Sequence, residues 1–160
     1  MKKPRNKKYA GPKYVAQNPM RTFLGGMSDT HAGPLQMTKL ANHTAMSNMA
    51  RGVGDYNDWF RLNSAINMAL VMSEQGIGAE YTQEFVAASH AMLACVRRAT
   101  KTERYLFTGD EIQAMNTALD SHDAQCTCVR FIDIDRAEKE VVRRLTNRIN
   151  VMKIEEGEPA

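Results

Sequence analysis

The chain is poor in aromatic residues, with one Trp, five Tyr and five Phe among 160 positions. A core dominated by rings is excluded, and the 11 methionines must either fill a soft, adaptable interior or make a sticky surface. Cysteine is scarcer still. Cys95, Cys126 and Cys128 are an odd number, and the last two stand two residues apart, which on a helix points their thiols in different directions. That spacing excludes a bridge between them and favours a reducing, cytoplasmic setting. No apolar run approaches the length a bilayer requires, so no membrane partner is expected. The lysines at the start are not followed by an apolar segment, which argues against a secretory signal.

Motifs that announce chemistry are also missing. Neither Gly-x-Ser-x-Gly nor His-Glu-x-x-His occurs, and Gly25-Gly26 lacks the lysine and spacing of a phosphate-binding loop. Asp133 and Asp135 lie two apart and diverge on a helix, a poor carboxylate dyad. The reading is therefore a protein that is not an enzyme, with no catalytic residue, metal or cofactor assigned. The nearest approach to a metal set is Asp120, His122, Asp123, Cys126 and Cys128. His122 and Cys126 are four apart and share a helix face, but two ligands do not make a tetrahedral site. His43, His90 or Cys95 would have to complete it, and both residues also fall on an apolar stripe, where packing explains them.

Negative charge is absent from the first 21 residues, and this absence frames the most informative feature present. Lys2, Lys3, Arg5, Lys7, Lys8, Lys13 and Arg21 give that segment seven positive charges. Residues 22–129 hold seven basic and eleven acidic side chains, residues 130–153 seven and four, and the tail from Ile154 to Ala160 three acids and no base. A basic arm on a compact body is suited to phosphate backbones or acidic surfaces. Tyr9 and Tyr14 lie within the arm, where they can stack on bases. These seven cations are the candidate nucleic-acid contacts. Such contacts position a protein without reading sequence.

The arm, residues 1–33, reads as extended, punctuated by Pro4, Pro12 and Pro19 and by Gly11, Gly25, Gly26 and Gly33. Its apolar patch, Met20, Thr22, Phe23, Leu24 and Met27, is suited to pin it against the body. A helical bundle is expected over 34–153 and an acidic flexible tail over 154–160. A first helix runs from Pro34 to Arg51, with Met37, Leu40, Ala41, Thr44, Ala45 and Asn48 as its apolar stripe. A second runs from Asp55, a capping residue, to Gln75 on Trp59, Leu62, Ile66, Ala69 and Ser73. A third spans Ala79 to Thr100 on Tyr81, Phe85, Ala88, Met92, Cys95 and Ala99. The short Gly76-Ile77-Gly78 link makes these two an antiparallel hairpin.

Thr108 followed by Glu111 is a capping box opening the next helix. Its stripe reads Ile112, Met115, Leu119, His122, Cys126 and Val129. Between Asp110 and Glu156 neither glycine nor proline occurs. The segment is either one long helix or two helices bent near Ile132–Asp135. The fold class is all-α: a bundle of four to five helices with a long C-terminal helix, whose projecting end would invite a homodimer.

Two binding surfaces are suggested besides the arm. In Leu35–Gly52, Leu40-Ala41 can end one helix and Thr44 open a recognition helix carrying Ser47, Asn48 and Arg51, although one continuous helix explains the run as well. Met37, Met46, Met49, Met68 and Met72 are suited to an adaptable protein interface. Arg136, Arg143 and Arg144 make a further basic strip, better explained as a salt-bridged face.

The opening Lys-Lys-Pro-Arg-Asn-Lys-Lys-Tyr-Ala-Gly-Pro-Lys-Tyr resembles the N-termini of small accessory proteins of proteobacterial phages, prophages and plasmids. So do Asn18-Pro19-Met20, Phe23–Met27, Ala65–Ala69 and Ser121–Gln125. The resemblance implies at most a regulatory role and transfers no functional residue. Together these features lead to a small regulatory or accessory protein of a mobile element that binds nucleic acid through its basic arm. The alternative is an inhibitor or adaptor that docks on a host protein.

Overall fold

The computed structural model describes residues 32–149. The seven leader cations, the arm's apolar patch and the acidic tail lie outside them. Five α-helices stand among the described residues: α1, Ala32–Ala50; α2, Tyr56–Glu74; α3, Thr82–Thr102; α4, Gly109–Cys128; and α5, Phe131–Asn147. A 3-10 turn, Ala79–Tyr81, precedes α3. Helices α1 to α4 close a ring in which each packs on the next and α4 returns to α1, while α5 lies chiefly on α2. No helix of the described residues is long and apolar enough to cross a membrane.

Local chemistry sets the boundaries. Asp55 caps α2 by accepting from the backbone N–H groups of Asn57 (2.8 Å) and Asp58 (2.9 Å), and the Asp58 carboxylate accepts from the Asp55 N–H. The expected capping box also opens α4, where Glu111 accepts from the Thr108 backbone N–H at 2.8 Å. Orphan amides of two helix starts are thus satisfied by side chains the sequence supplies at the right spacing. Gly76 and Gly78 both adopt left-handed backbone, which turns the chain between α2 and α3.

The interior follows the stripes read for α2, α3 and α4. Leu62, Ile66 and Ala69 meet Phe85, Ala88, Met92 and Cys95, with Met115 and Leu119 closing the layer. Phe107 enters the core from the α3–α4 link. Met46, Met49, Met72, Met92 and Met115 are all buried, so unbranched thioethers fill the space that rings would take in a more aromatic chain.

Four expectations need correction. The α1 stripe is rotated by about one residue: Met37 and Leu40 face solvent (68% and 62% exposed), and Asn42, Ala45, Met46 and Met49 face the core. The cause is low contrast, since apolar residues occur on several sides of α1. Second, α1 runs unbroken through Leu40–Ala45, so no helix-turn-helix forms there. Third, the methionine surface is not a surface: of the five residues assigned to it, Met46, Met49 and Met72 are buried, Met68 is half-buried, and Met37 alone is exposed. Fourth, the last stretch is two helices, broken at Val129-Arg130 rather than near Ile132–Asp135, and α5 has 17 residues against 21 for α3 and 20 for α4. Val129 and Arg130 are extended, and this break turns α5 back so that Ile134, Ala137 and Val141 are covered, with Ala137 and Val141 joining Val71 and Met72 of α2. A straight continuation would leave that apolar area in water.

Candidate functional site

One cluster of polar side chains lies along the seam where α1 meets α4. Lys39 and His43 lie one turn apart on α1, and both reach Asp123 of α4. The Lys39 Nζ stands 2.9 Å and the His43 Nε2 2.8 Å from the same oxygen, Oδ2. Asp120, one turn back on α4, brings a second carboxylate, and single ligand atoms of His43, Asp120 and Asp123 lie within 4.8 Å of one another. The hydrogen bond and charge of Asp123 hold the Lys39 ammonium above its ordinary range. Lys39 therefore supplies, from the chain itself, the positive charge that two converging carboxylates require. The arrangement acts as a clamp between α1 and α4.

Beside Asp123 on α4, His122 and Gln125 point inward, toward α2 and the α2–α3 turn. Gln125 is buried, and its Nε2 donates to the carbonyls of Ala69 (3.2 Å) and Ile77 (2.7 Å). Its Oε1 therefore faces the His122 Nδ1, 3.1 Å away, as an acceptor. The Nδ1 carries the proton in this arrangement, leaving Nε2 as the acceptor toward the Cys126 Sγ at 3.8 Å. Thiol, imidazole and amide thus stand in a row, an order that elsewhere supports nucleophilic catalysis.

The electrostatics run the other way. Burial pushes the Cys126 thiol up to about 11, with Asp123 adding to the rise and Lys39 opposing it. Burial also lowers His122. A reactive thiolate beside an imidazolium needs both shifts reversed. The pair singled out in the sequence does come together, and what it forms is a packed polar core joining α4 to α2 and to the α2–α3 turn. His90 is exposed on α3 and Cys95 sits in the core, bonded weakly to the Leu106 carbonyl.

About half of the cations of the described body pair with neighbouring acids. Arg98 pairs with Glu111, Arg130 and Arg136 with Asp133, Lys139 with Asp135, Arg143 with Glu140, and Arg144 with both Glu74 and Glu140. The strip of Arg136, Arg143 and Arg144 is accordingly a salt-bridged face. The Arg143 and Arg144 guanidiniums hold the Glu140 carboxyl down to about 2.

Sequence reasoning missed one cluster. At the end of the bundle formed by the α1–α2 and α3–α4 links, Tyr56 lies 6.0 Å from Trp59, 6.1 Å from Phe60 and 6.2 Å from Tyr105 between ring centroids. Val53, Tyr56, Phe60 and Leu106 are exposed there. The available signal was the Tyr56–Phe60 spacing of four on a helix that already had its buried stripe elsewhere. A backbone bridge between Gly54 and Tyr105 joins the two links. No family model, curated protein or solved structure matches the chain.

Proposed function

We propose that the protein is a small, non-enzymatic regulatory or accessory protein of a mobile element, acting in the cytoplasm and binding nucleic acid through Lys2, Lys3, Arg5, Lys7, Lys8, Lys13 and Arg21. The observation that carries this reading is the partition of charge. Seven cations without an acid stand in the first 21 residues, whereas in the described body acids outnumber cations and about half of the cations pair with carboxylates. A cluster of cations with no interspersed acid is what releases counterions from a phosphate backbone. The Cys126–His122 electrostatics support a binding role over nucleophilic catalysis.

The test is a salt titration of binding to mixed-sequence DNA and RNA. If all seven cations meet phosphates of a duplex, log K falls against log salt with a slope of about −6. Deleting residues 1–21 abolishes binding while helicity and Tm stay unchanged. Equal binding by the truncated protein defeats the reading. The exposed Val53, Tyr56, Phe60 and Leu106 favour one alternative, an adaptor or inhibitor of a host protein docking on that end. It predicts a complex that survives both nuclease and removal of the leader but is lost in Tyr56→Ala/Phe60→Ala.

A further inference from the structure

The chain leaves α1, α2, α3 and α5 through left-handed residues: Gly52, Gly76 with Gly78, Glu103 and Arg148. Only α4 ends without one. It stops at extended Val129 (φ −98°, ψ 149°), and α5 starts from extended Arg130 (φ −86°, ψ 156°), which makes no side-chain cap bond. These two residues are the whole hinge. Neither glycine nor proline occurs between Asp110 and Glu156, so no residue there is of the kind that stops a helix. Closing the hinge into helix would give the last carbonyls of α4 the first amides of α5 as partners. Local bonding thus favours one continuous helix over Gly109–Asn147, about 58 Å long.

Tertiary contact opposes that preference. The helix α5 lies chiefly on α2, where Ala137 and Val141 join Val71 and Met72. Arg144 pairs with Glu74 across the same contact, with Nη1 3.1 Å from Oε1. Straightening the hinge in a single chain would pull α5 off its own α2 and leave both apolar faces in water. A second copy removes the conflict. When two chains straighten together, each α5 can lie on the α2 of the other, and the α2–α5 contacts reappear between chains. The segment that covers the vacated α2 face is then the one that covers it in the single chain, Phe131–Asn147, supplied by the second copy.

We infer that the protein forms a domain-swapped homodimer, in which Val129 and Arg130 turn helical and α5 crosses to the α2 of a second copy. The main core survives the exchange, because it is built from α1 to α4 and their links and contains no residue of α5. The inference does not depend on nucleic-acid binding.

Charge reversal across the α2–α5 contact tests this in full-length chains, read by native mass spectrometry, which separates heterodimers from homodimers by mass. Glu74→Arg and Arg144→Glu each set like charges together within one chain. The two variants are mixed in equal amounts at high concentration, opened briefly in mild urea and returned to buffer. They form a heterodimer whose crossed contacts both pair opposite charges, in on the order of tenfold excess over either homodimer. Two hinge variants read the same exchange. Arg130→Pro suits the extended backbone of both hinge residues and keeps the wild-type circular dichroism, but a proline cannot sit inside the continuous helix, so this variant stays monomeric. Val129→Ala favours helix at the hinge and raises the dimer fraction above that of the wild type. A wild-type chain that remains monomeric after the same treatment, a merely statistical mixture of homodimers and heterodimers, or a dimer undiminished in Arg130→Pro overturns the inference.

Discussion

Replacing Gly78 with alanine adds one methyl group and incurs two separate costs. The backbone there is left-handed, φ +66°, which disfavours any side chain by about 1–2 kcal/mol. The new Cβ also stands 2.6 Å from the Gln125 Cγ and 3.1 Å from its Nε2. Gln125 cannot retreat without releasing the carbonyls of Ala69 and Ile77 and its contact with the His122 ring. Leaving such buried groups unsatisfied costs about 1–3 kcal/mol. The expected total is about 2–5 kcal/mol, a large share of a typical domain's stability of about 5–15 kcal/mol. Gly76 provides the control. Its φ is +87°, yet a Cβ there meets nothing within 4 Å, so Gly76→Ala incurs the backbone cost alone. Urea unfolding followed by circular dichroism measures both. The Cβ also stands 3.2 Å from the Tyr81 Cδ2, so in a Gln125→Ala background the extra cost of Gly78→Ala should fall sharply, leaving only what the Tyr81 ring adds over Gly76→Ala. If Gly78→Ala is no worse than Gly76→Ala in the native background, or its excess is undiminished without Gln125, the buried amide does not lock the turn as argued.

Other outcomes follow from the same interior. Burial holds His122 below its ordinary value near 6.5, so stability is full above that pH. As the medium acidifies toward the depressed folded value, the unfolded chain takes a proton that the folded chain refuses. His122→Gln should therefore flatten the acid-side loss of unfolding free energy between neutrality and mild acid by up to about 1.4 kcal/mol per pH unit, and identical pH profiles in denaturant titrations would contradict this. Thiol labelling of the native protein should proceed in the order Cys128, Cys126, Cys95, because Cys128 is exposed while burial pushes both Cys126 and Cys95 up to about 11. Glu103 ends α3 with φ 56°, so Glu103→Gly should raise stability by about 0.5–1 kcal/mol in a denaturant titration. Amide exchange should be faster in α5 than in α2 and α3, since Ile134 and Ala137 are its only buried apolar residues.

Legibility varied along the chain with the contrast of its pattern. On α2 and α3 the buried positions are apolar save Ser73 and Ser89, and most of the remaining ones polar, so Trp59–Leu62–Ile66–Ala69 and Phe85–Ala88–Met92–Cys95 could be read directly. The Asp55 and Thr108 caps were legible because capping needs a particular side chain at a particular offset. On α1 the contrast is missing. A polar Asn42 faces the core while Met37 and Leu40 face water, and periodicity alone selects the wrong side. The break before α5 carries no glycine or proline. It shows in the sequence only as the strand-like alternation of Cys128–Ile134, which reflects two extended residues, Val129 and Arg130. That break is set by the tertiary gain of laying Ala137 on Val71 and Met72, a term no local propensity contains.

The polar seam shows the same limit from the side of chemistry. Spacing places His122 and Cys126 on one face of α4, and they do meet, but spacing says nothing about solvent. Whether that pair is a nucleophile or a packed core depends on the dielectric around it, and there burial moves both groups away from the charged forms catalysis would use. Lys39, His43 and Asp123 lie about eighty residues apart in sequence and become neighbours only because α4 closes the ring against α1. The leader's cations differ in kind. Their significance rests on having no acid within reach along the chain, a property of composition, so it could be read without any fold. The body reinforces the contrast because its acids outnumber its cations and interleave with them along the chain, which leaves the first 21 residues as the densest run of positive charge in this protein.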